Sequence, residues 1–151
     1  MSFLKPRNAS EAADLIANAT GCALGLAAII YVSKVAEDML QNDIASLLDY
    51  VQIGCAALLV LAYLPFMISI KARFGGLGVN PWKSESFLAT SMRKAAWTTV
   101  GVLLICLTLM STMDNLILSR ISSEQAVDVT LAVLFASLCA SFFIYSNDRV
   151  V

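Results

Sequence analysis

Four long stretches of this sequence carry no charge at all: Leu15–Ser33, Tyr50–Ile70, Ala95–Met113 and Val129–Asn147, of 19, 21, 19 and 19 residues. A helix of roughly 20 apolar residues crosses the hydrocarbon core of a bilayer. Within lipid a helix satisfies all its backbone hydrogen bonds in one segment. The runs therefore predict an all-α, polytopic integral membrane protein. It is a four-helix transmembrane bundle forming a single domain over residues 1–151, with spans at about 15–34, 49–70, 95–114 and 128–147. Charged residues make up 14% of the chain, against roughly 25% in soluble domains. The deficit is what a lipid-facing surface requires.

Charge sets the expected orientation. Lys5, Arg7, Lys71, Arg73, Lys83, Arg93, Lys94 and Arg149 fall on one side, which is eight of the ten basic residues. Only Lys34 and Arg120 fall on the other. The positive-inside rule then puts both termini and the middle loop in the cytoplasm. The short loops at 34–49 and 114–128 carry seven acids, so the outer face is net acidic. The charge bias and compact loops suit a bacterial inner membrane. Lys5 and Arg7 before an apolar run imitate a signal peptide, but the run is too long and no A-x-A site follows it. It reads as a retained first span.

Caps and breakers mark the helix ends. Asn8 with Glu11 and Ser122 with Gln125 have the spacing of capping boxes. The first helix is expected to run past Ser33 to about Leu40. Asn80-Pro81 predicts a short cytoplasmic interfacial helix from Pro81 towards Met92, anchored by Trp82 and Phe87 and bending into the third span at Arg93-Lys94. Pro65, inside the second span, predicts a kink there. Gly75-Gly76-Leu77-Gly78 lacks the lysine and hydroxyl of a phosphate-binding loop and reads as a turn.

Small residues suggest how the helices meet, because helices in lipid associate through close packing. Ala17, Gly21 and Gly25 form one ridge on the first helix. Ala132, Ala136 and Ala140 form another on the fourth. First and fourth helices are neighbours in an up-down bundle, so the two ridges are expected to make the helix-packing interface. Asn18 and Gln52 are amides within spans and are expected to bond across helices.

Chemistry-bearing residues are scarce. The chain has no histidine, which excludes bis-histidine haem and most catalytic zinc sites. Cys22, Cys55, Cys106 and Cys139 fall one to a span, form no CxxC pair and read as packing residues. Cys106 and Cys139, both near mid-membrane, are the one plausible pair among them. Met110 and Met113 read as core filler. No acid or base falls at mid-membrane, where a proton-coupled carrier places its carboxylate. The remaining concentration of charge is an outer-boundary cluster of Lys34, Asp49, Asp114 and Asp128, within which Lys34 is expected to pair with Asp114.

These readings give no catalytic residue, cofactor or metal ligand. They point to a non-enzymatic membrane subunit that packs with and stabilises or assembles a larger membrane complex. Its partners are the lipid bilayer and other membrane subunits or copies of itself, with no nucleic acid. The alternative is a small oligomeric channel or carrier with an acidic outer mouth that concentrates cations.

Overall fold

The computed structural model describes residues 9–39, 42–74, 86–112 and 121–147. These form helices α1 (Ala9–Met39), α2 (Asn42–Leu58), α3 (Leu64–Phe74), α4 (Phe87–Thr112) and α5 (Ser123–Asn147). A π-helical turn, Leu59–Tyr63, joins α2 to α3. No strand occurs among the described residues. Four helical stretches are long and apolar enough to cross a membrane: Ser10–Glu37, Ser46–Ile70, Phe87–Thr112 and Ser123–Asn147. Only 11–22% of their most apolar windows is buried within the chain. Most of that apolar surface faces outward, far beyond the patches a water-soluble monomer exposes.

Polar contacts at the helix ends establish the up-down order. At the end carrying the basic loop, the start of α1 meets the start of α4, because the Leu88 N–H donates to Asp14 Oδ1 at 3.2 Å. The start of α4 meets the end of α5, because Ser91 Oγ donates to the Tyr145 carbonyl at 3.2 Å. At the opposite, acidic end, α1 finishes beside the starts of α2 and α5.

The most extensive packing is between α1 and α5, followed by α4 on α5. Phe142 is fully buried and packs with Ala17 and Ala95, with Leu88, Met92, Leu138 and Tyr145 around them. Its ring lies directly over Gly21, and a Cβ there would collide with the ring edge. Farther along, a Cβ on Gly25 would meet Cys139 Sγ at 3.3 Å. Tyr31 stacks on Phe135 with centroids 5.5 Å apart. So Ala17, Gly21 and Gly25 do line the α1 side of this interface. The α5 side is Ala132, Phe135, Cys139 and Phe142, while Ala136 is half-buried and Ala140 is exposed. Large side chains of α5 fill the hollow that the glycines leave. The α5 atoms nearest to Gly21 and Gly25 belong to Phe142 and Cys139. Cys139 accordingly faces α1, its thiol 3.8 Å from the Gly21 carbonyl.

Two features refine the sequence expectation. Pro65 produces a widened turn just before it, where the helix would otherwise seek the hydrogen bond that proline cannot donate. The backbone is α-helical on both flanks of that turn, with φ −62° and ψ −41° at Leu58 and φ −64° and ψ −50° at Leu64. Helix α4 runs unbroken from Phe87 through Arg93 and Lys94, so Phe87–Met92 is its first part and not a separate surface helix. Ser86 caps it, accepting the Ala89 N–H at 3.3 Å, while Asp14 takes the Leu88 N–H from across the bundle. Residues 80–85 and Asn8 lie outside the described residues.

The bundle has one open side. Helices α2 and α3 pack on α1 but make no comparable contact with α4 or α5. Gly54 on α2 and Gly101 on α4 both face open space, with nothing within 4 Å of an added Cβ. This contrast among glycines predicts that Gly21→Ala destabilises the fold by about 1–3 kcal/mol, since overpacking forces Phe142 aside. Gly54→Ala should leave stability unchanged or slightly raised. Thermal unfolding in detergent reads both, and equal responses would refute the packing described here.

Candidate functional site

The densest polar arrangement lies at the acidic end, where three helices meet. Lys34 is near the end of α1, and its ammonium sits 2.9 Å from Asp128 Oδ2 and 3.6 Å from Glu124 Oε1. Glu124 and Asp128 are four residues apart on α5, so one helix face presents both carboxylates. Asp128 is 5% exposed, whereas the Glu124 side chain is largely open to the surroundings. Lys34 therefore neutralises one buried carboxylate and shares one surface carboxylate. One turn farther along α1, Glu37 accepts a hydrogen bond from Gln52 Nε2 of α2 at 2.9 Å. Adjacent turns of α1 thus bind it to α5 on one side and to α2 on the other.

The Lys34 partner expected from sequence was Asp114. That residue lies outside the described residues, and Asp128 and Glu124 hold the ammonium. Asp128 lies on the buried face of α5, beside the end of α1. Asp49, the fourth member of the expected cluster, is exposed on α2. Glu124 was not among the expected cluster residues. Its spacing of four from Asp128, at a helix start, is the signal that could have shown it. Ser122 and Gln125 form a reciprocal capping box beside the pair, with N–H to side-chain distances of 3.0 and 3.2 Å. The cap holds the first turn of α5 in place beneath Lys34.

The amides behave differently from each other. Gln52 reaches across to α1. Asn18 is exposed and has no hydrogen-bond partner among the described residues. Two tyrosines make cross-helix links that the sequence did not single out. The Tyr63 hydroxyl is 3.2 Å from Thr20 Oγ1, and the Tyr145 hydroxyl is 2.9 Å from Thr98 Oγ1. Several other hydroxyls in the helices bond to carbonyls of their own helix, as Thr108 does to Leu104 at 2.7 Å. The buried Thr99 hydroxyl has no hydrogen-bond partner among the described residues.

An open groove of about 510 Å³ lies between the acidic-end halves of α4 and α5, lined by Leu107, Met110, Ser111, Val127, Thr130 and Leu131. Thr130 spends its hydroxyl proton on the Ala126 carbonyl at 2.8 Å. The lining thus presents aliphatic surface and few free polar groups. All four cysteines are free thiols. No group of three or more Cys, Asp or Glu side chains converges on a metal-sized space among the described residues. What this constellation does physically is clamp helix ends together.

The clamp generates a coupling prediction. Lys34→Met strands the buried Asp128 carboxylate and should lower thermal stability more than Asp128→Asn, which leaves an exposed lysine free to turn outward. Combining the two should cost less than their sum. A double-mutant cycle measures the coupling, and additive effects would show that the pair does not interact. No protein-family model, curated protein or solved structure matches this chain, so its function is argued from the geometry alone.

Proposed function

We propose that this protein is a non-enzymatic integral membrane subunit that packs with and stabilises or assembles a larger membrane complex. The observation that carries this reading is the open side of the bundle. The second apolar helix and α4 both lean on α1 and leave each other unpacked. Their outward surfaces are apolar and pitted by Gly54 and Gly101. Leu61 on one and Trp97 on the other are 75% and 79% exposed. Close approach of another helix to an outward glycine is the means by which membrane helices bind, since lipid is as apolar as leucine and offers no hydrophobic gain.

The chemistry of the rest is consistent with such a role. Polar groups cluster at helix ends, where they fix the helices relative to one another. The middle of each helix carries no ionisable side chain other than thiols and the Tyr63 phenol. The eight basic residues on one side support cytoplasmic termini in a bacterial inner membrane. On that orientation the start of α4, with Arg93, Lys94 and Trp97, lies at the inner headgroup level. Pairing of Lys34 with Asp128 commits one carboxylate of the acidic end to holding helices together.

Gentle detergent extraction followed by affinity purification tests the proposal. Other membrane polypeptides should co-purify with the wild-type protein. Gly54→Leu or Gly101→Leu should release them without lowering the protein's own thermal stability. Purification free of other polypeptides, with ion flux in liposomes, would replace the subunit reading with the channel. Orientation is checked separately with single cysteines at Asp43 and Gly76. A thiol reagent that does not cross membranes should label the first and not the second in intact cells.

A further inference from the structure

Cys139 rests against the backbone of α1, beside a second thiol. Its Sγ lies 3.8 Å from the Gly21 carbonyl oxygen, and a Cβ on Gly25 would meet it at 3.3 Å. Cys22 follows Gly21 in the chain. The planar peptide between them holds the Gly21 oxygen about 2.8 Å from the Cys22 Cα. Cys139 Sγ is therefore within about 7 Å of that Cα, a gap that rotation of the Cys22 side chain shortens. Among the described residues, Cys22 is also the group whose charge acts on Cys139. Both thiols are free. A disulfide holds its Cα atoms about 4.4–6.8 Å apart. Glycines at 21 and 25 remove the side chains that would keep two helices beyond that separation.

The depth of the helices selects this pair over the one expected from sequence. Ala95 and Phe142 pack together, which levels α4 against α5. From that level Cys106 lies about 16 Å towards the acidic end, and Cys139 about 4 Å. A gap of about 12 Å along the axis separates Cys106 from Cys139 and rules out their pairing. Cys22 and Cys139 each lie within about 3 Å of the middle of their uncharged runs.

On the proposed insertion the pair sits at mid-bilayer, with Cys22 exposed to lipid. No Asp, Glu, Lys or Arg occurs within either run to take a thiol proton. A thiolate there is costly, which disfavours both metal binding and exchange with an aqueous disulfide. Electrons that leave together with their protons strand no charge in the bilayer. A lipid-soluble quinone accepts them in that form.

We infer that Cys22 and Cys139 are a redox pair that closes to a disulfide between α1 and α5, with a lipid-soluble quinone as oxidant. The S–S bond forms and both S–H bonds break. Two electrons and two protons pass to the two quinone oxygens, giving the quinol. The bridge ties α1 to α5 at the glycine contact. It rests on the membrane insertion proposed above and not on the assembly role.

The test treats the full-length protein in native membranes with duroquinone, a quinone with no free ring position for a thiol to add to. Two of the four free thiols should be lost when thiols are counted in denaturant. Mass spectrometry should find the peptides bearing Cys22 and Cys139 joined within one chain. Glutathione disulfide should give about tenfold less of this bridge over the same time. In Cys22→Ser every remaining thiol should stay free, whereas Cys106→Ala should leave the bridge unchanged. Cys22 is exposed, so its replacement spares the seam, and wild-type thermal stability of that variant verifies this. A bridge from Cys139 to Cys106, a bridge between two chains, or retention of all thiols would overturn the pair. A bridge formed as fast by glutathione disulfide would overturn the quinone and put the pair in water, and with it the membrane insertion.

Discussion

The contact of Gly21 with Phe142 sets the spacing on which the remaining geometry depends. A glycine on α1 admits the full ring of Phe142, and that places α5 close enough for Cys139 to reach the α1 backbone. Tyr31 then lies flat on Phe135, and Lys34 arrives beside Asp128. Each contact is farther along the same antiparallel seam. A bulkier residue at position 21 would separate the two helices at the basic end and tilt every later pair out of reach. Helix α4 depends on the same seam, since it is bonded to both members, through Asp14 on α1 and through Tyr145 on α5.

Polar links and close packing divide the work by position. Along the seam, steric fit decides, because burial of leucine against leucine gains nothing that lipid does not also provide. At the ends, where water and headgroups lie, ion pairs and caps decide direction and register. The Lys34–Asp128 pair contributes little net stability by itself, yet it penalises any arrangement that leaves Asp128 buried alone. Gln52 on Glu37 does the same for α2. The chain thereby specifies one arrangement of helices with very few polar side chains.

How much of this was legible in the sequence depends on the range of the interaction. The four apolar helices were legible because their signal is local: uncharged runs of membrane length. The Ser122–Gln125 cap was legible for the same reason. The α1 half of the main interface was visible as glycine spacing. The α5 half was not, because alanine spacing resembles a ridge whether or not it faces a neighbour, and the actual contact uses Phe142 and Cys139. Lys34 and Asp128 were legible as members of one charge cluster because both lie at the same depth. Which acid of that cluster faces Lys34 depends on helix rotation, which packing elsewhere fixes. Pro65 announced a disturbance of its helix. That the disturbance takes the form of a π turn over Leu59–Tyr63 is not something the proline alone announces.

The open side of the bundle and the fate of the two amides belong to one argument. Gln52 and Asn18 are chemically alike, and both sit within apolar helices. Gln52 lies on the face of α2 that α1 covers, and it found Glu37. Asn18 is exposed on α1 and has no hydrogen-bond partner among the described residues. A closed four-helix bundle would bury the faces of α2 and α4 against each other and leave little need for other chains. In this arrangement α1 is the hub, α5 and α4 form one wall, and α2 with α3 stands apart on the other. The uncovered surfaces that result carry an exposed amide and two open glycines. On the proposed reading, the outward glycines are where a helix of another chain would approach most closely.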